Sequence, residues 1–361
     1  MLFRSLLLSA ISISFFACKN DQANVEYEVR TVVETELLEF SIPGTTIRAI
    51  ESLNDSTIWF AGSNGKWGYT KNNGANWTIE IIEDEGKKPN FRSIAVQDNG
   101  DVFLVAIEEP AAIFKSSDQG QNWSKVHEGP STESFFDAVE FWNDDKGILL
   151  GDPQNNCFYV ALTSDGGDTW TQVDCAKLPP ALPEEYPFAA SNTNIALAGS
   201  HVWFGTGGES ESRVYHSADW GKNWEVISTP IVSGKGMTGI YSIDFFDQNN
   251  GVIAGGNWDA VSENTGNMAS TKDGGKTWNL LFDGENEGYT SCIQYIPETD
   301  GKELFLLKGR SGSGASSMSY LYDSMDTIQS FSNDNYLSLQ FVDRNTAWIA
   351  GKNKIAKLTI E

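Results

Sequence analysis

The chain has 361 residues, including 34 glycines and 12 tryptophans, and its aromatic content is 12%. The formal net charge is −24 at pH 7. Because phosphate groups repel such a chain, we expect neither nucleic acid nor an anionic membrane surface as a partner. The composition favours a turn-rich all-β protein with a substantial core, and the charge favours a soluble monomer or a basic partner.

The first residues have the composition of a targeting segment. Arg4 precedes a short apolar run, residues 6–16, which is too short to span a membrane as a helix. The run leads into a Phe-Phe-Ala-Cys sequence ending at Cys18, which resembles the bacterial lipobox. The resemblance implies cleavage before Cys18 and lipidation of that cysteine, and the alternative is an ordinary secretory signal cleaved nearby.

This segment sets the expected domain organisation. We expect a lipoprotein signal peptide over residues 1–17, a tether over residues 18–26 and a single domain over residues 27–361. The protein is then exported and lipid-anchored to the bacterial cell envelope, facing the periplasm or the surface, and it contacts the membrane only through the N-terminal lipid.

A pattern of the form Ser/Thr-x-Asp-x-Gly-x-x-Trp occurs five times between short β-rich apolar runs. Its acidic or amide positions are Asn72, Asp118, Asp165, Asp219 and Asp273, and its tryptophans are Trp77, Trp123, Trp170, Trp224 and Trp278. The carboxylate or amide accepts hydrogen bonds from its own turn, the glycine supplies a positive φ, and the indole is buried. Each copy is predicted to be a hairpin turn, and the pattern resembles the Asp-box of sialidases, sortilins and other β-propellers.

The spacing of the turns predicts the architecture. The copies follow one another at intervals of 46 to 54 residues, which is typical of a propeller with one four-stranded blade per repeat. Inner strands near residues 48, 92, 137, 189, 241, 292 and 337 predict seven blades. The last blade lacks an outer strand, and we expect a strand within Tyr27 to Ser41 to complete it and close the ring.

Three segments carry a more specific resemblance. Phe245 to Gly251, Phe341 to Trp348 and Phe141 to Gly147 join an inner strand to a second strand. Together with the turns they resemble the photosystem II stability/assembly factor family over residues 40–361. The resemblance implies a seven-bladed, non-catalytic propeller that binds assembly partners, although a lipoprotein of this kind does not inherit the photosystem as its partner.

We therefore expect a protein-binding or assembly scaffold without cofactor or metal. The alternative is a secreted glycoside hydrolase of the sialidase type, since sialidases combine Asp-boxes with an arginine triad, a Tyr–Glu pair and an Asp acid. The sequence around Arg92, Phe-Arg-Ser-Ile, resembles the sialidase Phe-Arg-Ile-Pro but lacks the proline. Three arginines converging beside a Tyr–Glu pair would favour the enzyme, and dispersed arginines the scaffold.

The candidate binding residues are those expected on the top face of the propeller. They are Arg48, Arg92, Asp137, Tyr241, Arg213 and Arg310. Arg48 and Arg92 open the inner strands of adjacent blades, so they form a positive site in an acidic protein. Such a site attracts a carboxylate on a protein partner, an acidic peptide or a carbohydrate. Pairing of each arginine with a nearby acidic residue is the alternative.

Cys157 and Cys175 lie at equal distances in sequence from the turn centred on Gly166. On antiparallel strands they are nearly opposite each other, at a Cα separation that suits a disulfide, and an exported protein is in the compartment for one. A bulge in the turn would separate the two side chains. We expect the bond to form, with Cys292 left as a free thiol.

Overall fold

The structure, a computed structural model, describes residues 30, 34–108, 110–285, 288–309, 317–322, 327–331 and 335–361. The predicted signal peptide, Cys18 and the predicted tether lie outside these residues, as does Arg310. The described chain is an all-β propeller with one single-turn 3-10 helix, Cys175–Lys177. Within these residues, no helix has both the length and the apolar composition needed to cross a membrane.

The largest sheet joins the two ends of the described chain. Its six strands, in spatial order, are β27 (Tyr336–Phe341), β28 (Thr346–Ile360), β1 (Thr35–Asn54), β2 (Thr57–Gly62), β3 (Lys66–Thr70) and β4 (Thr78–Ile81). A second six-stranded sheet has the order β13 (Glu185–Tyr186), β16 (Gly207–Gly208), β19 (Thr238–Phe245), β20 (Gly251–Asn257), β21 (Met268–Thr271) and β22 (Asn279–Leu280).

The remaining four sheets have four strands each. The first contains β5 (Phe91–Val96), β6 (Val102–Ala106), β7 (Ala112–Ser116) and β8 (Ser124–Glu128). The next contains β9 (Phe136–Phe141), β10 (Gly147–Gln154), β11 (Cys157–Thr163) and β12 (Thr171–Gln172). The third contains β14 (Ile195–Ala198), β15 (His201–Gly205), β17 (Arg213–Ser217) and β18 (Glu225–Ser228). The last contains β23 (Cys292–Tyr295), β24 (Leu304–Leu307), β25 (Met318–Tyr322) and β26 (Thr327–Phe331).

The propeller has six blades, counted as hydrogen-bonded sheets, and the prediction of seven is wrong. The difference arises where the chain closes. Residues 35–41 of β1 pair with residues 354–360 of β28. Residues 47–54 of the same long strand pair with β2. Because β1 runs on without a break, the strands that the sequence assigned to a first and a seventh blade form one sheet. An N-terminal strand does lie beside the last strand.

The core lies between neighbouring sheets. The strands are rich in β-branched and aromatic residues, and both β2 and β6 are buried along their whole length. Trp203 and Trp348 are fully buried and Trp59 is 2% exposed. Sheets packed on both faces in this way hold the inner strands rigidly, which is the requirement for a site built from several sheets.

The five repeated turns share one hydrogen-bond pattern, described here for the turn at Thr163. The Thr163 hydroxyl accepts a hydrogen bond from the Gly167 amide at 2.9 Å, and Asp165 accepts one from the Thr169 amide at 3.0 Å. Gly167 has a φ of 80°, in the left-handed region that favours glycine. The Trp170 indole is 9% exposed and donates to the Gly167 carbonyl at 3.1 Å. The other four turns repeat the hydroxyl and carboxylate or amide contacts.

Cys157 and Cys175 form a disulfide with a Cα separation of 5.7 Å, and the predicted pairing is present. Its location differs from the expected one, because β12 ends at Gln172 and Cys175 begins the 3-10 helix. The bond therefore ties the start of β11 to a helical turn instead of crossing between two strands. Among the described residues the free cysteine is Cys292, which is buried.

Candidate functional site

Five inner strands carry a one-residue bulge at the same place. The pairing of β1 with β2 skips from Ile47 to Ala49, and the pairing of β5 with β6 skips from Phe91 to Ser93. The same irregularity occurs in β9, β19 and β27. The bulged residues are Arg48, Arg92, Asp137, Tyr241 and Leu337. A bulge re-aims its side chain, and four of the predicted site residues occupy these positions.

Three of these bulged residues line a cleft of about 220 Å³, which we call the upper cleft. It is lined by Arg48, Arg92, Phe188, Ala189, Ala190, Met237, Tyr241, Trp258 and Tyr289. Three of the predicted residues, Arg48, Arg92 and Tyr241, are thus brought together. They come from β1, β5 and β19, in three different sheets.

Arg48 is held in place by the neighbouring backbone. Its guanidinium donates a hydrogen bond to the Ala190 carbonyl at 2.9 Å. Burial, together with the nearby positive charge of Arg92, lowers the pKa of Arg48 to about 10. At neutral pH the group keeps its proton, so a charged guanidinium is fixed at the rim of the cleft.

Arg92 makes no hydrogen bond or ion pair within the part of the chain that the structure describes. Burial lowers its pKa, while the negative charges of Glu108 and Asp137 raise it. Asp137 is 1% exposed, and burial, reinforced by Asp152, raises the pKa of its carboxyl well above the ordinary value. Burial thus disfavours the ionised form of Asp137, which limits how far this carboxyl neutralises Arg92.

The opposite wall of the cleft is aromatic. The rings of Phe188 and Tyr241 stack with centroids 4.2 Å apart and planes 6° apart. Tyr289 meets Tyr241 edge to face at 4.8 Å. The Tyr241 hydroxyl donates to the Met237 carbonyl at 3.0 Å. The wall is therefore preorganised, and the Tyr241 hydroxyl already has a hydrogen-bond partner.

Two of the predicted binding residues lie elsewhere. Arg213 is 8% exposed and its Nε donates to Glu185 at 2.9 Å, so it belongs to a buried ion pair and does not line the upper cleft. That pair fixes the segment before β14, whose strand β13 pairs with Gly207 and Gly208. Asp137, the bulged residue of β9, is too deeply buried to line the cleft.

The aromatic wall was not predicted from the sequence. Phe188 belongs to an irregular segment, Met237 precedes β19, and Tyr289 precedes β23. These residues occur in no repeated pattern. Trp258 offered a signal, because it lies in the loop from Gly255 to Asn267, which is long in comparison with the loops of the other repeats.

A second cavity of about 270 Å³, the lower cavity, lies further along the same inner strands. Its polar lining includes Glu51, Glu140, Asp244, Gln294 and Gln340. Burial raises the pKa of Glu51 to about 8 and that of Asp244 to about 6. The pKa of Glu140 is raised well above its ordinary value, first by burial and then by the charges of Glu51 and Asp244.

No family model and no curated protein matches the sequence, but solved structures are similar to it. A structure described as YCF48 bound to D1 peptide has a TM-score of 0.65 and 16% identity, over 90% of this chain and 97% of that one. YCF48 from Cyanidioschyzon merolae has a TM-score of 0.62 and 13% identity, over 89% of this chain and 98% of that one. A catalytically inactive virginiamycin B lyase from Staphylococcus aureus with quinupristin has a TM-score of 0.67 and 13% identity, over 90% and 99%. These likenesses show the β-propeller fold.

Proposed function

We propose that this protein is an exported, lipid-anchored β-propeller of the Asp-box type that acts as a non-catalytic protein-binding or assembly scaffold. In this proposal the upper cleft captures a carboxylate on a segment of the partner. The observation that carries it is the pair of guanidinium groups, Arg48 and Arg92, at one cleft of a chain with a net charge of −24. The resemblance to photosystem II assembly factors and the similar structure described with a bound peptide support a peptide or protein ligand.

The lining of the cleft favours a scaffold over a sialidase-type enzyme. The described lining residues contain two arginines and no carboxylate, and the third described candidate, Arg213, is paired with Glu185 elsewhere. A sialidase-type site would need the Glu of the Tyr–Glu pair and the Asp acid, and neither carboxylate is among the described lining residues. A cationic and aromatic cleft is suited to holding an anionic segment instead.

The test is the double substitution Arg48→Ala with Arg92→Ala. The protein is immobilised and incubated with solubilised native membranes, and the proteins retained are quantified. Removing either charge-assisted hydrogen bond weakens binding by about tenfold or more, so retained partners should fall to background while the melting temperature is kept. The matched control, Lys87→Ala with Lys88→Ala, removes the same charge outside the cleft and should retain partners normally. Equal retention by both variants would refute the proposal.

The anchor is tested separately. Mass spectrometry of the N-terminal peptide from the native envelope should show a lipid on Cys18, and Cys18→Ser should release the protein from the membrane fraction. An unmodified cysteine in the mature protein would refute the anchor and leave the binding proposal standing.

A further inference from the structure

The upper cleft has two chemically different halves. One contains the guanidinium groups of Arg48 and Arg92, and the other contains the rings of Phe188, Tyr241 and Tyr289. A ligand that contacts only one half leaves the other half without favourable contacts. A purely apolar ligand would desolvate Arg92 without giving it a partner, which is unfavourable. A small anion alone would leave the aromatic wall uncovered.

We propose, on the basis of the proposed function, that the recognised segment carries an aromatic ring directly beside a carboxylate. The ring packs against the Phe188 wall and the carboxylate meets Arg92. A C-terminal aromatic residue supplies this combination, and so does an internal aromatic residue next to an acidic one.

The size of the cleft limits the ligand to about one residue. Sites for complete drug-sized ligands are about 300–1,000 Å³, whereas the upper cleft measures about 220 Å³. The space therefore accommodates one large side chain and its adjacent carboxylate. The rest of the partner must lie over the rim.

The wall selects a ring because it is flat and already ordered. Phe188 and Tyr241 are held parallel at 4.2 Å, and the Tyr241 hydroxyl is engaged by Met237. Aromatic rings prefer offset-stacked or edge-to-face contact with such a surface. A cationic ligand is excluded, since Arg48 and Arg92 repel it.

The first experiment uses four small probes with purified full-length domain in ligand-observed NMR and calorimetry. They are 3-phenylpropionate, propionate, 3-phenylpropan-1-ol and 3-phenylpropylammonium. The expected order places 3-phenylpropionate first, with propionate and the alcohol each weaker by about threefold to tenfold, and no binding of the ammonium compound. Equal affinity for propionate and 3-phenylpropionate would overturn the inference.

Substitutions at Phe188 and Arg92 assign the two halves. Phe188→Ala should remove the preference for the ring while keeping the preference for the carboxylate. Arg92→Ala should remove the preference for the carboxylate while keeping the preference for the ring. Phe188→Leu keeps the apolar volume and guards against unfolding, which is monitored by the melting temperature. Loss of both preferences in Phe188→Leu at an unchanged melting temperature would contradict the assignment.

Peptides then distinguish the two sources of the carboxylate. One ends in phenylalanine with a free C-terminus, and its partner is the same peptide amidated. A third carries an internal phenylalanine followed by glutamate and an amidated end. Binding of the first or the third supports the inference and identifies the source, and binding of neither overturns it. If partner retention still depends on Arg48 and Arg92 when no peptide binds, only this inference fails and the proposed function stands.

Discussion

The upper cleft and the lower cavity share the inner strands β1 and β19 but have opposite chemical character. The upper cleft holds two guanidinium groups and an aromatic wall. The lower cavity holds three carboxyl groups, from Glu51, Glu140 and Asp244. Burial shifts the pKa of each group towards its neutral form, downward for the arginines and upward for the acids. At neutral pH Arg48, with a pKa of about 10, keeps its charge, whereas Glu51, with a pKa of about 8, is largely protonated.

The comparison shows how one repeat supplies two different sites. Arg48 and Glu51 lie three residues apart on β1, and Tyr241 and Asp244 lie three apart on β19. In a regular strand residues three apart point to opposite faces. The bulge adds one residue, so Arg48 and Tyr241 can line the upper cleft while Glu51 and Asp244 line the lower cavity. The bulge thus separates an upper ring of residues from a lower one.

The largest effect is expected from removing the strand pairing that closes the propeller, because unfolding would destroy the upper cleft and the lower cavity together. Deleting residues 35–41 removes seven residue pairs with β28. The deletion also removes Phe40, which packs against Trp77 and Trp348, and leaves Ile355 and Leu358 on an unpaired edge. We expect loss of the cooperative thermal transition in circular dichroism.

The matched control for this deletion is a truncation that begins at Arg30. It keeps the hydrogen bond from Arg30 to the Arg344 carbonyl at 2.9 Å as well as the whole of β1. It should melt like the parent protein. An unchanged melting temperature after deletion of residues 35–41 would show that closure does not depend on this strand.

The next prediction concerns the pH dependence of stability that arises from Glu51 in the lower cavity, and its effect is smaller. The folded-state pKa of Glu51 is raised to about 8, so its contribution to stability is complete at low pH and is lost as the pH rises towards 8. Glu51→Gln does not titrate, so the variant should gain stability over the parent by several kcal/mol at pH 9 and much less at pH 5. Urea unfolding at both pH values measures this difference.

Glu80→Gln, at an exposed position of β4, is the control, and it should leave the free energy of unfolding unchanged at both pH values. A Glu51→Gln protein that is less stable than the parent at pH 9 would mean that the carboxylate has a compensating partner. In that case the lower cavity would be a satisfied polar network, and the contrast between the two ends would be smaller.

The sequence predicted what repeats and missed what does not. Arg48, Arg92 and Tyr241 were identified because their positions recur at the start of each inner strand. The blade count was wrong because β1 pairs with β28 and then continues without a break to pair with β2. The repeat pattern of the sequence does not show this continuity. A count of inner strands cannot detect it.

The remaining differences involve contacts between segments distant in sequence. Arg213 has the same charge as Arg92, but it forms a buried ion pair with Glu185, which lies 28 residues earlier in the sequence. Phe188 and Tyr289 reach the cleft from irregular segments whose path depends on packing. Periodicity gives no information on either, so the cationic half of the cleft was predictable and the aromatic half was not.

The smallest effect concerns the ionisation of the carboxyl groups of Asp137 and Asp152 and its influence on Arg92. Burial raises the pKa of Asp137 well above its ordinary value and that of Asp152 to about 7, so both gain negative charge as the pH rises. That charge lowers the positive potential at Arg92, and affinity for 3-phenylpropionate should fall by about twofold to threefold between pH 6 and pH 8. Asp137→Asn cannot ionise, so its affinity should decline less than that of the parent as the pH rises. Calorimetry at the two pH values measures the change. A variant that binds the probe much more tightly at pH 6 would show that Asp137 is already ionised and neutralises Arg92. The upper cleft would then be less cationic than the comparison with the lower cavity requires.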